Sequence, residues 1–148
     1  MLDEDSVFED ISPIISGMGL TLVDCRLQQS KFGHACHIVL FREGGVGTQE
    51  CAQVYRTIMP RLEILLSSQD IHLEVGSPGT DRKIRLAREY PIFLGRGVTI
   101  IERNGTTVGG VLASSDEEYL TLNTKEGTLK VPLADIVKAK LDYTQEVR

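Results

Sequence analysis

Hydrophobic residues in the first half of the chain follow first a helical and then a strand-like spacing. Apolar residues recur every three or four positions over residues 3–18, which predicts an amphipathic helix. Two alternating stretches, 21–28 and 36–41, predict the strands of a hairpin. A second helical spacing begins at Thr48, a candidate N-cap, and alternation returns over 71–75. The predicted order of elements is therefore α, β, β, α, β.

In the second half, strands follow one another at close spacing, with one short helical turn among them. The predicted strands are 98–102, 106–113, 119–123, 128–131 and 137–141, with the helical turn at 133–136. Asn104-Gly105 is a strong hairpin signal. The expected fold class is α+β: a two-layer α/β domain over residues 1–86 and a small SH3-like β-barrel over 87–148, with a basic connector at about 80–95.

Charge is unevenly distributed along the chain. The 148 residues carry a net charge of −5, which argues against a protein that coats nucleic acid nonspecifically. Within the connector, basic residues nevertheless outnumber acidic ones, and arginine can bind phosphate through two hydrogen bonds. The candidate phosphate contacts are Arg82, Lys83, Arg85 and Arg96. The alternative interpretation is a solvated segment between domains, with surface ion pairs of little energetic value.

Composition limits the kind of RNA contact and the compartment. The chain has no Trp, 4 Phe and 4 Tyr, so no aromatic platform for stacking single strands is expected, and RNA contact would involve backbone or folded shape. Apolar runs fall short of the roughly 20 residues of a membrane span, and the acidic start lacks the basic region of a signal peptide. Three cysteines without CxxC spacing fit a reducing compartment, so the cytoplasm is expected. No exposed apolar stripe is evident in the sequence, so a monomer is expected.

No catalytic or metal-binding cluster is predicted. Cys36 and His37 lie next to each other on a predicted strand, where successive side chains point to opposite faces, so they are poorly placed to share a metal with His34. The glycine-rich loop 44–48 lacks the Lys and Ser or Thr of a phosphate-binding loop and does not match G-x-G-x-x-G. We therefore expect no enzyme activity, no metal and no cofactor.

Four short blocks, in order along the chain, resemble the ribosome maturation factor RimP family. Residues 73–82, LEVGSPGTDR, resemble its L-E-V-S-S-P-G-[LI]-[DE]-R signature. Residues 45–51 resemble its G-V-x-x-[DE]-[DE]-C run, residues 90–98 its F-x-x-[FY]-x-G-[KR]-x-V block, and residues 136–141 its I-x-K-A-x-L strand. Departures occur at Gly76, Thr80 and Lys83, where the family has Ser, an aliphatic residue and Pro.

The resemblance implies a function without catalysis. RimP-like proteins act in maturation of the small (30S) ribosomal subunit, and the resemblance implies as partners the maturing 16S rRNA and ribosomal protein S twelve, the latter contacted largely through the barrel. Arg82 and Arg96 match positions of the family motifs. Ser77, Pro78 and Gly79 are interpreted as a structural turn at the domain junction, with Gly79 accepting a positive φ.

Two other classes of function remain open. A protein-binding adaptor would dock a basic partner through the acidic run Asp116, Glu117 and Glu118, with no RNA contact. An enzyme acting on a nucleotide at loop 44–48 is the third class. Survival of subunit capture after nuclease digestion would favour the adaptor, and saturable nucleotide binding would favour the enzyme.

Overall fold

The computed structural model describes residues 3–146, which fold as two compact units, the first ending at Pro78 and the second beginning at Gly79. The expected boundary, after residue 86, lies further along the chain. The earlier division has a physical reason, because the backbone of residues 82–84 hydrogen-bonds to the last strand of the second unit.

The first unit contains the predicted α, β, β, α, β order. Its elements are α1 Glu4–Gly17, β1 Thr21–Ser30, β2 Gly33–Phe41, α2 Thr48–Leu65 and β3 Ile71–Gly76. The sheet order is β1-β2-β3, with β1 antiparallel to β2 and β3 parallel to β2. The parallel pair requires a crossover connection, which α2 supplies.

Both helices contribute to a single hydrophobic core on one face of this sheet. The buried residues of this core come from α1 (Val7, Ile11, Ile15), from α2 (Val54, Ile58, Leu62), and from the loop after α1 and the strands (Leu20, Leu22, Cys25, Cys36, Ile38, Leu40, Leu73). The helical residues repeat every four positions, so each helix presents one apolar stripe to the sheet. The two-layer α/β arrangement expected for this unit is confirmed.

The start of each helix is capped by an acidic side chain. The Asp3 carboxylate accepts a hydrogen bond from the Ser6 amide at the N-terminus of α1 (2.8 Å). At α2 the prediction of Thr48 as N-cap is wrong: Gly47 is the capping residue, and the Glu50 carboxylate reaches back to its amide (2.8 Å). Glu50 also forms an ion pair with Arg42. The α2 N-terminus therefore already holds an internal carboxylate.

The second unit is an antiparallel sheet of five strands. Its strands are β4 Gly97–Glu102, β5 Thr107–Ser115, β6 Tyr119–Thr124, β7 Gly127–Pro132 and β8 Ile136–Leu141. All five strands were predicted from the sequence, as was a helical turn at 133–136, which the structure places at Leu133–Asp135. The strands pair in the order β7-β6-β5-β4-β8. Among the described residues β7 and β8 form the two ends of the ladder and do not pair, so the sheet is not closed by hydrogen bonds.

The core of this unit comprises inward-facing strand residues and two aromatic rings. Its fully or nearly buried hydrophobic residues are Tyr90, Phe93, Val98, Ile100, Leu112, Leu120, Leu122, Val131, Ala139 and Leu141. Phe93 belongs to a 3-10 helix, Ala87–Phe93, in the span expected to be a connector. A further 3-10 helix, Tyr143–Glu146, follows β8. None of the helices in the described part of the chain is long and apolar enough to cross a membrane.

Candidate nucleic-acid interface

The basic segment expected to be a connector is ordered along the edge of the second unit. A hydrogen bond from the Arg82 amide to the Gly79 carbonyl (3.3 Å) closes a turn over residues 79–82. The next residues run antiparallel to β8, with the Leu141 amide donating to the Arg82 carbonyl (2.9 Å) and the Ile84 amide to the Ala139 carbonyl (2.8 Å). Lys83, between these two hydrogen bonds, is therefore held against β8 by the backbone.

The residues Ser77, Pro78 and Gly79 follow β3 directly. Ser77 and Gly79 are exposed, and none of the three lies at the centre of the turn, which falls at Thr80 and Asp81. Gly79 does not adopt a positive φ, so the expectation of a left-handed glycine there is wrong. The turn closes with ordinary backbone angles at this position.

Arg82 forms an ion pair with a buried carboxylate. Its Nε donates to Glu89 Oε1 (2.9 Å), and its second guanidinium nitrogen lies 2.8 Å from the same oxygen. The Arg82 side chain is 14% exposed and that of Glu89 is 0% exposed. The other carboxylate oxygen of Glu89 accepts hydrogen bonds from the amides of Arg85 (3.1 Å) and Leu86 (3.0 Å). Arg82 thus neutralises an internal charge at the start of the 3-10 helix.

Arg96, the other arginine that matches a family motif, also has an internal partner. Its Nε lies 3.4 Å from Glu146 Oε2, which accepts a second hydrogen bond from the Gly97 amide (2.9 Å). The two side chains are 37% and 34% exposed. Solvent weakens an ion pair of this kind, so a phosphate could displace the carboxylate at little cost.

Lys83 lies on an exposed face with two lysines that the sequence analysis did not select. An isolated β-bridge places Lys83 directly opposite Lys140, and Lys138 lies two residues earlier on β8. All three side chains are exposed. We call Lys83, Lys138 and Lys140 the lysine face. Alternation in β8 could have indicated the outward direction of Lys138 and Lys140, but not that Lys83 lies beside them.

The surroundings of the lysine face contain few carboxylates. Across β4, Lys138 lies opposite Ile101 and Lys140 opposite Thr99, both uncharged. The nearby Asp142 accepts hydrogen bonds from the hydroxyls of Thr144 (2.5 Å) and Thr99 (2.6 Å), which hold the pKa of this carboxyl well below its usual range. No carboxylate in the described part of the chain pairs with any of the three ammonium groups.

The acidic run considered as a docking site for a basic partner is partly engaged in its own turn. Asp116 Oδ1 accepts hydrogen bonds from the amides of Glu118 (2.7 Å) and Tyr119 (2.8 Å), and these lower the pKa of Asp116. Glu117 and Glu118 are exposed. Asp116 therefore stabilises the β5–β6 turn.

The candidates for metal and nucleotide binding find no support in the geometry. Cys36 is buried, with its sulfur 3.8 Å from Cys25 Sγ, whereas His37 lies on the exposed face of the sheet. No group of three potential ligands assembles among residues 3–146. Loop 44–48 leads into a helix whose first free amide is occupied by Glu50, so an anion would meet a negative charge there.

Comparison with known proteins first finds a family model that matches the N-terminal unit and then a relative that is similar along nearly the whole chain. The family model described as the RimP N-terminal domain matches residues 10–81, and it includes the whole stretch from within α1 to the turn before Arg82. The "Ribosome maturation factor RimP" of Borrelia turicatae (strain 91E135) is 27% identical over 142 residues, covering 95% of this chain and 97% of the relative. The chain is thus similar to RimP proteins along nearly its whole length, and its N-terminal unit matches the RimP family model.

Proposed function

We propose that this chain is a ribosome maturation factor that binds the immature or free small (30S) ribosomal subunit and catalyses no reaction. The observation that carries the proposal is the alignment of both units with a protein named as a ribosome maturation factor, over 95% of the chain. An edge of the second unit rich in exposed lysine supports a role in contacting RNA.

The proposed partners are the maturing 16S rRNA and ribosomal protein S twelve, met by a monomer in the cytoplasm. The second unit takes the form of an SH3-like barrel in this proposal. Five antiparallel strands and a 3-10 turn between β7 and β8 support that form. The two units act as separate domains, with residues 77–79 as the structural turn between them.

The four basic residues selected from the sequence divide into two groups in this proposal. Lys83 and Arg85 are exposed and contact phosphate, and Arg96 does so by exchanging its solvent-exposed pair with Glu146. Arg82 stays with Glu89, since removing it would leave a buried carboxylate uncompensated.

The mechanism is a shift of population. The factor binds a partly folded RNA and protein surface more tightly than the finished one, and so raises the fraction of a productive intermediate. It leaves when the mature surface forms, because the difference in affinity then no longer favours the complex.

Density-gradient co-sedimentation tests the proposal. The purified chain is layered with immature small subunits, mature small subunits or assembled ribosomes. Comigration with immature or free small subunits is expected, and absence from every ribosomal fraction would overturn the proposal. Nuclease treatment of the subunits separates the two binding classes: loss of comigration fits RNA contact, whereas retention favours the protein adaptor.

A further inference from the structure

We infer that the lysine face, Lys83, Lys138 and Lys140, is the surface through which this chain holds the phosphate backbone of folded RNA. The inference rests on the proposed function and names the contact chemistry of the second unit. Two of its three residues lie on β8, outside the basic segment that sequence reasoning selected.

The backbone geometry places the three lysines side by side on one face of the sheet. The hydrogen bonds on either side of the Lys83–Lys140 bridge mark a non-hydrogen-bonded antiparallel pair. The Cα atoms of such a pair are about 4.5 Å apart, with side chains on the same face of the sheet. Lys138 and Lys140 are two residues apart on one strand, on one face and separated by about 7 Å. The cluster is therefore fixed by the strands and does not depend on loop conformation.

This arrangement is electrostatically unfavourable for the isolated chain. Like charges directly opposite each other on a sheet destabilise the pairing. The cross-strand neighbours Thr99 and Ile101 carry no compensating charge, and no carboxylate among residues 3–146 pairs with the three lysines. A bound anion would offset this repulsion between the lysines. A stretch of RNA backbone supplies several phosphates at once, so it can neutralise all three charges.

Six other cations in the described part of the chain have internal partners. Ion pairs join Arg42 to Glu50, Arg61 to Asp10, Arg82 to Glu89 and Arg96 to Glu146. Lys31 and Lys130 lie over the rings of Phe32 and Tyr119, with distances of 5.3 Å and 5.0 Å to the ring centres. In a chain of net charge −5, the lysine face is thus a place where positive charge is grouped and uncompensated.

The residue type favours backbone contact over reading of bases. Lysine acts on phosphate as a flexible point charge, without the bidentate geometry that selects a base edge or a single carboxylate. Phosphate contacts of this kind position a protein on RNA without specifying sequence. The face should therefore bind folded rRNA with strong salt dependence and little sequence preference.

Two triple variants with the same change of charge test the inference. The chain has six lysines, so Lys83→Gln/Lys138→Gln/Lys140→Gln can be compared with Lys31→Gln/Lys125→Gln/Lys130→Gln, each removing three positive charges. Binding of each protein to protein-free small-subunit rRNA is measured by fluorescence anisotropy over a series of salt concentrations. Binding to immature small subunits is measured in parallel.

The lysine-face variant is expected to lose about tenfold or more in affinity for the rRNA, and the slope of log affinity against log salt should fall by about three. The matched control should change affinity by about twofold at most, through net charge alone. Because the substitutions relieve like-charge repulsion, the thermal midpoint of the lysine-face variant should equal or exceed that of the wild type.

Each other result has a distinct meaning. Equal losses in the two triple variants, or no loss in the lysine-face variant, would overturn the inference while leaving subunit binding intact. Nuclease-resistant binding to subunits that depends on the lysine face would assign it to an acidic protein partner and would also overturn the inference. A wild-type chain that binds no subunit would instead overturn the proposed function.

Discussion

Burial of the Glu89 carboxylate organises the start of the second unit. The Glu89 carboxylate forms an ion pair with Arg82 and accepts hydrogen bonds from the amides of Arg85 and Leu86. These contacts lie at the start of the 3-10 helix that contains Phe93. A buried ion pair of this kind adds little net stability over apolar residues of the same size. Removal of one partner is costly, however, because the other charge then stays in a medium of low dielectric.

Replacement of Glu89 by alanine is therefore predicted to destabilise the chain by about 3–5 kcal/mol. Urea unfolding followed by circular dichroism measures the change. Glu117→Ala, which removes an exposed carboxylate of the same unit, serves as control and should stay within about 0.5 kcal/mol of the wild type. Equal stability of the two variants would show that Glu89 does not hold Arg82 as described.

The ionisation of Tyr90 gives a second prediction at this scale. Burial and then the nearby Glu89 charge raise the pKa of Tyr90 to about 12, whereas an unfolded tyrosine titrates at about 10. Between these pH values the unfolded chain has released a proton that the folded chain keeps. The stability that depends on neutral Tyr90 is thus complete below about pH 10 and falls as pH rises towards 12.

A titration of phenolate absorbance measures this shift. The difference between the wild type and Tyr90→Phe isolates one of the 4 tyrosines. That difference should have its midpoint near 12 while the chain stays folded. A midpoint near 10 would contradict the burial of this hydroxyl group.

The partners of individual side chains at the site could not be predicted from the sequence. Arg82 and Arg96 matched family motifs, but their partners lie 7 and 50 residues further along the chain. No local pattern indicates such pairs. Lys138 and Lys140 were missed because their importance depends on a neighbouring backbone segment, and strand order across a sheet does not follow from alternation.

Among the elements, regular strands and helices were predictable and short irregular ones were not. Each strand β4–β8 and each of the helices α1 and α2 buries one face. Burial of one face produces a regular spacing of hydrophobic residues, which can be read from the sequence. The 3-10 helix Ala87–Phe93 is too short to establish a period, and the capping residue Gly47 has no side chain to signal its role. The predicted border after residue 86 differs from the observed division after Pro78 because residues 82–84 pair with β8 without forming a regular strand that the sequence pattern could indicate.

Close packing of the last 3-10 helix against β4 gives a prediction at the element scale. A Cβ atom at Gly97 would meet the backbone carbonyl of Asp142, which cannot move aside as a side chain can, and would crowd Gln145. Gly97→Ala should therefore destabilise the chain by about 1–3 kcal/mol, as overpacking does elsewhere.

Thermal unfolding of Gly97→Ala and of a matched alanine variant measures this effect. Gly17, at the end of α1, has open space around it and an ordinary φ, so Gly17→Ala should be neutral or stabilising by up to about 1 kcal/mol. A Gly97→Ala variant as stable as Gly17→Ala would show that Asp142 and Tyr143–Glu146 do not pack on β4 in the way described.

At the scale of the whole molecule, an acidic chain carries a local group of exposed lysines on its second unit. The net charge of −5 opposes approach to RNA from most directions, whereas the lysine face attracts it. Such a distribution favours one orientation on the subunit and suppresses nonspecific coating of RNA. The resemblance to the RimP family was evident from the sequence, because its four blocks are spread along the chain. The choice between contact surfaces required the three-dimensional arrangement.

The most direct test of the account is the ratio of affinities of the wild-type chain for immature and for mature small subunits, measured under one salt condition. A factor that shifts the population of assembly intermediates must bind the immature particle more tightly, and a preference of about tenfold corresponds to about 1.4 kcal/mol of differential binding. We predict a preference of at least this size. Equal affinities would contradict the account, because a ligand that binds two states equally shifts neither.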